Sequence, residues 1–222
     1  MVQLRACSQL QRLRIKFSPV DSDQDDFTDD MLANLRGLNE LRSLAIIGAP
    51  ISGTGLRYVK ALPKLTTIDL RFSTITDSGV AAIGQMPQIE ELDLSYTKIT
   101  DRGLLQLSSL RRLRSLRVAG VRVTDNGLAG LGALLHLTDL DLEGTGIGDA
   151  GLSRLRGLSS LRSLRLTDTA VSDSGLKNLD KLTRLRVLSL SGTKVTTTGV
   201  GDLQKALPNC TIKGVPGRQA SK

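Results

Sequence analysis

Tryptophan is absent from the 222-residue chain, and aromatic side chains make up only 2% of it. Compact globular cores draw much of their buried area from rings, so this scarcity argues for an interior filled by aliphatic residues in a repeating arrangement. Histidine occurs once, as His136 at an expected surface turn, with no cysteine or serine at a sharp nucleophile turn to partner it. Cysteine occurs twice, as Cys7 and Cys210 near opposite ends, too few to build a Cys/His zinc cluster. No glycine-rich phosphate loop is present. Nowhere do 18 apolar residues run together, and the start MVQLRACSQLQRLRI has no uninterrupted apolar core. From these absences the expectation is a non-catalytic intracellular chain without cofactor or metal, signal peptide or transmembrane segment.

What is present is repetition. Thr76-Asp77-x-Gly79-Val80 returns as Thr100-Asp101-x-Gly103-Leu104, Thr124-Asp125-x-Gly127-Leu128, Gly148-Asp149-x-Gly151-Leu152 and Ser172-Asp173-x-Gly175-Leu176, each 24 residues after the last. An aspartate repeated at this interval reads as a structural device rather than a catalytic group. A polar side chain ahead of a helix accepts bonds from its orphan N–H groups, so Asp101 and its equivalents are expected to cap helices. The recurring glycines are expected to permit close packing between units.

A second phrase runs in step, as in Leu65-x-x-Ile68-x-Leu70, Ile89-x-x-Leu92-x-Leu94 and Leu113-x-x-Leu116-x-Val118. Apolar positions two apart are the signature of a strand with one face inward, and the later steps of three, Leu104, Leu107 and Leu110, mark the inward row of a helical segment. Each unit therefore predicts a short strand, a turn and a helix of two to three turns. One unit cannot bury its leucines, but stacked units can, with their strands aligned as a parallel sheet. Nine such strands at ~4.8 Å would hold Cys7 and Cys210 roughly 35–40 Å apart, beyond the reach of a disulfide within one chain. A column of small polar residues, Ser73, Thr97, Thr145, Thr169 and Thr193, is expected to satisfy backbone groups where the strands end.

These phrases together resemble the leucine-rich repeat family, in the variety L-x-x-L-x-L-x-x-T-x-I-T-D-x-G-L-x-x-L common in planctomycete-type bacterial proteins and similar to the repeats of F-box/leucine-rich-repeat proteins, although no F-box-like segment accompanies them. The likeness runs from Leu10 to Ile212. It implies an α/β fold, a right-handed leucine-rich-repeat solenoid shaped as a curved horseshoe, with parallel strands on the concave face, short helices on the convex face, and a protein bound on the concave face.

The expected organisation is one repeat domain over 1–212, an acidic insertion over 18–30 in the first unit, and a disordered tail over 213–222. Asp21, Asp23 and Asp25 alternate as in a calcium loop, but Asp26 stands where such a loop needs glycine and Leu32 where it needs the bidentate glutamate, so the insertion reads as solvated acid. Leu4 and Cys7 are expected on an inward row of the first helical half-unit.

Residues flanking the inward strand positions must face the concave surface. Those columns carry Asp69, Arg71, Glu91, Asp93, Arg117, Asp139, Asp141, Glu143 and Arg165, with Arg12, Arg14 and Lys16 ahead of them. The signs alternate in bands, so a phosphate backbone would meet carboxylates there, whereas a folded protein or peptide with complementary bands would fit. Phe72 and Tyr96 take equivalent places just after their strands, where other units have glycine; they are either rim anchors for a partner or rings packing on each other. The expected partner of a monomer is thus a protein or peptide, held by these eleven residues from Asp69 to Arg165. The net charge of +8 gathers elsewhere, on a ridge including Arg111, Arg112, Arg114, Arg154, Arg156 and Arg162. That ridge keeps open an alternative, electrostatic attachment to nucleic acid or an anionic membrane; targeting of a larger multidomain enzyme is the other.

Overall fold

The computed structural model describes residues 7–17 and 27–214. Among them one sheet holds nine parallel strands in sequence order: β1 Arg12–Lys16, β2 Ser43–Ile47, β3 Thr67–Asp69, β4 Glu91–Asp93, β5 Ser115–Arg117, β6 Asp139–Asp141, β7 Ser163–Arg165, β8 Val187–Ser189 and β9 Thr211–Lys213. Each strand pairs only with its sequence neighbours, and equal unit length keeps the register: Leu92 opposes Leu116, Leu116 opposes Leu140 and Leu140 opposes Leu164. The result is a leucine-rich-repeat solenoid, with the strands forming its concave wall and the helical segments its convex one. Its interior is one continuous aliphatic cluster, in which Leu104, Leu116, Leu131 and Leu164 are wholly buried.

The helical halves are shorter and tighter than two to three α-turns. The α-helices are α1 Asp77–Ile83, α2 Asp101–Leu105, α3 Asp149–Ser153, α4 Asp173–Leu176 and α5 Thr197–Ala206, while Gln106–Ser109, Gly127–Ala133 and Lys177–Leu179 are 3-10 helix. The leucine spacing admits both helix types. Inward residues at consecutive steps of three, such as Leu128, Leu131 and Leu134, suit three residues per turn. Only α5 has inward steps of three then four, Val200, Leu203 and Leu207, and it alone runs to ten residues.

The repeated aspartate does not cap its own helix, which corrects the reading of Asp101. Thr100 is the cap: its hydroxyl accepts from Arg102 N at 3.3 Å. Asp101 is the first helical residue, and its carboxylate reaches forward one unit, accepting from Thr124 N and Thr124 Oγ1, each at 2.6 Å. Asp77 does the same to Thr100, Asp149 to Ser172 and Asp173 to Thr196. Each aspartate thus holds the cap residue of the following unit. The motif glycine follows from this, because a Cβ on Gly127 would stand 2.7 Å from Asp101 Oδ1 and 3.2 Å from Asp101 Cα. Where Gly53 replaces the aspartate, Thr76 N bonds the Ser52 carbonyl at 3.1 Å instead, and Gly53 packs directly on Gly79.

The small polar column behaves as expected, with Thr97, Thr145 and Thr169 hydroxyls donating to the carbonyls of Leu94, Leu142 and Leu166 at 2.6–2.7 Å. Cys7 is exposed rather than inward, because its carbonyl begins a turn that directs Leu10 toward the core. Leu4 and residues 18–26, which carry most of the acidic stretch, lie outside the described residues. Residues 27–30 differ from a solvated insertion: Phe27 is buried against Phe17, and Asp29 is the first of the forward-reaching aspartates. It accepts from Ser52 N and Oγ at 2.9 and 2.8 Å, and from Gly53 N and Gly55 N at 3.0 and 2.8 Å.

Burial pushes the Asp29 carboxyl up, but the bonds from Gly55, Ser52 and Gly53 more than offset it and hold it below its ordinary value of 3.8. A folded-state value below the unfolded one means that the stabilisation is complete above the unfolded value and disappears as pH falls through the folded one. The stability gap between wild type and Asp29→Asn, measured by urea unfolding, should therefore stay constant from about pH 7 to about pH 5 and close below about pH 4.

Candidate interaction surface

The concave face is built by strand alternation. With Leu92 and Leu94 inward, Glu91, Asp93 and Ser95 turn outward, and parallel pairing stacks each on its counterparts at one strand spacing of ~4.8 Å. The middle column consequently reads Arg14, Ala45, Asp69, Asp93, Arg117, Asp141, Arg165, Ser189 and Lys213. A first column carries Arg12, Glu91 and Asp139.

Close stacking has a consequence that alternation alone does not show. Asp93 and Asp141 are only 6% and 7% exposed. Each folds its carboxylate onto the backbone two residues ahead, Asp93 Oδ1 accepting from Ser95 N at 3.0 Å and Asp141 Oδ1 from Glu143 N at 3.1 Å. Their other oxygens face arginines of adjacent strands, with Arg71 Nη1 at 3.9 Å from Asp93 and Arg165 Nη1 at 3.4 Å from Asp141. Arg71 also pairs with Asp69 at 3.4 Å. Burial pushes the Asp69 carboxyl up, more strongly than the Arg71 N–H and charge draw it down. Asp93 and Asp141 therefore hold the banded surface in shape and leave Glu91 and Asp139 as the exposed acids of their strands.

Two shallow depressions occupy the face. One, of about 350 Å³, is bordered by Arg14, Asp69, Arg71, Glu91, Asp93 and Arg117. The other, of about 280 Å³, is bordered by Arg117, Asp139, Asp141, Arg165 and Lys213. Arg117 lines both, while Phe72, Tyr96 and Glu143 stand outside them. Lys213 was assigned to the tail by sequence but forms β9 opposite Ser189; the phrase Leu207-x-x-Cys210-x-Ile212 carries the signal, since it turns Thr211 and Lys213 outward.

Phe72 and Tyr96 stack on each other, centroids 4.8 Å apart and planes 2° from parallel, yet remain 57% and 49% exposed. The rings therefore pack on each other and still present area to solvent.

The basic ridge is partly tied to its own turns. Lys64 meets Glu40 at 2.6 Å, Arg114 meets Glu90 at 3.5 Å, and Arg111 Nη1 donates to the Ala133 carbonyl at 2.8 Å. His136 lies exposed at a turn. The recurring aspartates are spread one per unit rather than gathered, and among the described residues no group of three or more His, Cys, Asp and Glu is placed so that it could hold a metal ion. No helix among these residues is long and apolar enough to cross a membrane.

The comparisons agree with this geometry. A family model described as Leucine Rich repeat matches residues 61–84, 86–108, 133–155 and 157–179. No curated protein matches the chain significantly. Among solved structures, internalin C2 from Listeria monocytogenes is similar with a TM-score of 0.74 at 25% identity, over 94% of this chain and 84% of that one. A leucine-rich repeat protein of Leptospira interrogans superposes with a TM-score of 0.63 at 17% identity, over 95% of this chain and 56% of that one. An internalin F of Listeria monocytogenes gives 0.57 at 19% identity, over 99% and 71% respectively. Fold, repeats and comparisons define an open solenoid of the kind commonly used for protein interaction. The matched segments are leucine-rich repeats, and the chain has the leucine-rich-repeat fold.

Proposed function

We propose that the protein is a non-catalytic interaction module that holds a protein or peptide partner on its concave face. The observation that carries this reading is the alternation of exposed charge across the central strands, Glu91 on β4, Arg117 on β5, Asp139 on β6 and Arg165 on β7, on an open surface with two depressions. A uniformly anionic ligand, whether nucleic acid or lipid headgroups, would meet carboxylates at every second or third step. A polypeptide can match both signs, which favours one partner and one register over others.

Arg117 is central to this reading because it borders both depressions. Reversing it, Arg117→Glu, should abolish capture of partners from the source cell, whereas Arg111→Glu/Arg112→Glu/Arg114→Glu on the ridge should leave capture intact at both about 0.1 M and about 0.3 M salt. Loss of capture in the ridge variant alone, with a steep fall in salt, would instead assign the interaction to electrostatic attachment on the convex side.

A further inference from the structure

The turn after each strand from β2 to β8 repeats one backbone conformation. Gly48, Phe72, Tyr96, Gly120, Gly144, Asp168 and Gly192 all have φ between 54° and 75°. This left-handed region is free to glycine and strained for a ring-bearing residue. At two adjacent units the chain nevertheless carries Phe72 and Tyr96, and leaves about half of each exposed. Strain of this kind persists only where the surroundings enforce it, and it clusters at binding sites. The next unit is shaped to fit: the Tyr96 ring covers Gly120, where any Cβ would collide with it. With Tyr96 held between Phe72 and Gly120, the stack makes a step at the turn that presents the outer face of Phe72 and the edges of both rings.

The charges on the same two units give the step a preference. The concave residues of β3 and β4 with the residues that follow them, Thr67, Asp69, Arg71, Glu91, Asp93 and Ser95, contribute three carboxylates against one guanidinium. That guanidinium, on Arg71, is already shared between Asp69 and Asp93. Glu91 is exposed and, among the described residues, makes no ion pair. On one side β2 presents the uncharged Ser43, Ala45 and Ile47, and on the other β5 presents Arg117; Lys98 lies exposed two residues beyond Tyr96. Two strands past β4, Asp139 and Glu143 form the next acidic band, at about 10 Å for two strand spacings.

Building on the concave-face reading above, we propose that the Phe72–Tyr96 step is the docking point for an arginine of a basic partner segment, its guanidinium flat on the outer face of Phe72, which Tyr96 backs, and a neighbouring cation of the same segment on Glu91 or the Asp139/Glu143 band. Arginine suits the place better than lysine, since its planar, weakly hydrated head stacks on an aromatic face while its N–H groups still reach carboxylates. An acidic segment would be drawn away from the step, toward Arg12, Arg14 and Lys16 on β1.

The test uses three fluorescein-labelled peptides of equal length, built on Arg-Gly-Gly, Lys-Gly-Gly and Glu-Gly-Gly repeats, with binding followed by anisotropy. Phe72→Gly/Tyr96→Gly puts the residue best suited to φ near 60° at both positions, so the fold is retained and its melting temperature does not fall. Wild type should bind the arginine peptide several-fold more tightly than the lysine peptide and favour both over the glutamate peptide. The double-glycine variant should lose about tenfold for the arginine peptide and bring arginine and lysine to parity. Glu91→Gln should lose about threefold. Unchanged arginine affinity in the double-glycine variant, a preference for the glutamate peptide, or no measurable binding of the arginine peptide overturns the proposal. Ser115→Trp, which fills the groove beside Glu91, separates the two levels. If it blocks binding while the rings are dispensable, the groove reading stands and the step assignment fails; if neither variant matters, both fail.

Discussion

Leu116→Ala should lower the free energy of unfolding by about 2–5 kcal/mol, read from the urea midpoint at unchanged slope. Leu116 is wholly buried in the central strand, with Leu92 and Leu140 opposite it on the two neighbouring strands. Its removal opens a hole flanked on both sides by well-packed units that cannot close over it. The same change at Leu203, 5% exposed in the last described helical unit, should cost less, because among the described residues a neighbouring unit covers it on one side only. Equal losses at the two sites would mean that stability is shared evenly along the molecule, contrary to a stack in which each unit touches only its neighbours.

The second large effect concerns the aspartate that binds one unit to the next. Asp101→Ala removes the acceptor of both the Thr124 amide and its hydroxyl and should cost about 1–3 kcal/mol. Gly127→Ala forces a methyl to 2.7 Å from Asp101 Oδ1 and should cost a comparable amount. Combined, the two should lose clearly less than their sum, since without the carboxylate the methyl has room on that side. The relief is incomplete because Asp101 Cα stays 3.2 Å from the new atom. A strictly additive double variant would show that the glycine serves some purpose other than admitting the aspartate of the preceding unit.

Much of this architecture can be read from spacing alone. Leu92 and Leu94, two apart and repeated every 24 residues, specify strand, inward face and register together, because equal units can align only one way. The helical halves were less legible. Steps of three are compatible with either helix type: Val80, Ile83 and Met86 accompany the α-helix Asp77–Ile83, whereas Leu128, Leu131 and Leu134 accompany 3-10 helix, so spacing alone does not choose between them. A cap and a first-turn residue are adjacent in sequence, so Asp101 reads there as a cap; only packing reveals that its carboxylate serves the next unit. Asp29 was hidden for a related reason. Its unit has Met31 where the others have glycine, and the following unit has Gly53 where most others have aspartate, so the phrase is broken twice in succession.

At the candidate surface, alternation correctly turns Asp93 and Asp141 away from the core, but a sequence cannot show that neighbours ~4.8 Å away will cover them. The acids that a partner meets are therefore fewer than the outward columns suggest. Conversely, the strain at Phe72 and Tyr96 was foreshadowed by the glycines at Gly48, Gly120, Gly144 and Gly192, whose φ the rings share.

The exchange of aspartate for Gly53 makes the molecule mechanically uneven. Most coils are strapped to the next by a charged clasp, whereas the junction at Thr76 relies on a neutral carbonyl and on two glycines lying face to face. Under tension along its long axis, the chain should come apart first at that seam, shedding the N-terminal coils as a unit while the remainder, from α1 onward, keeps its clasps closed.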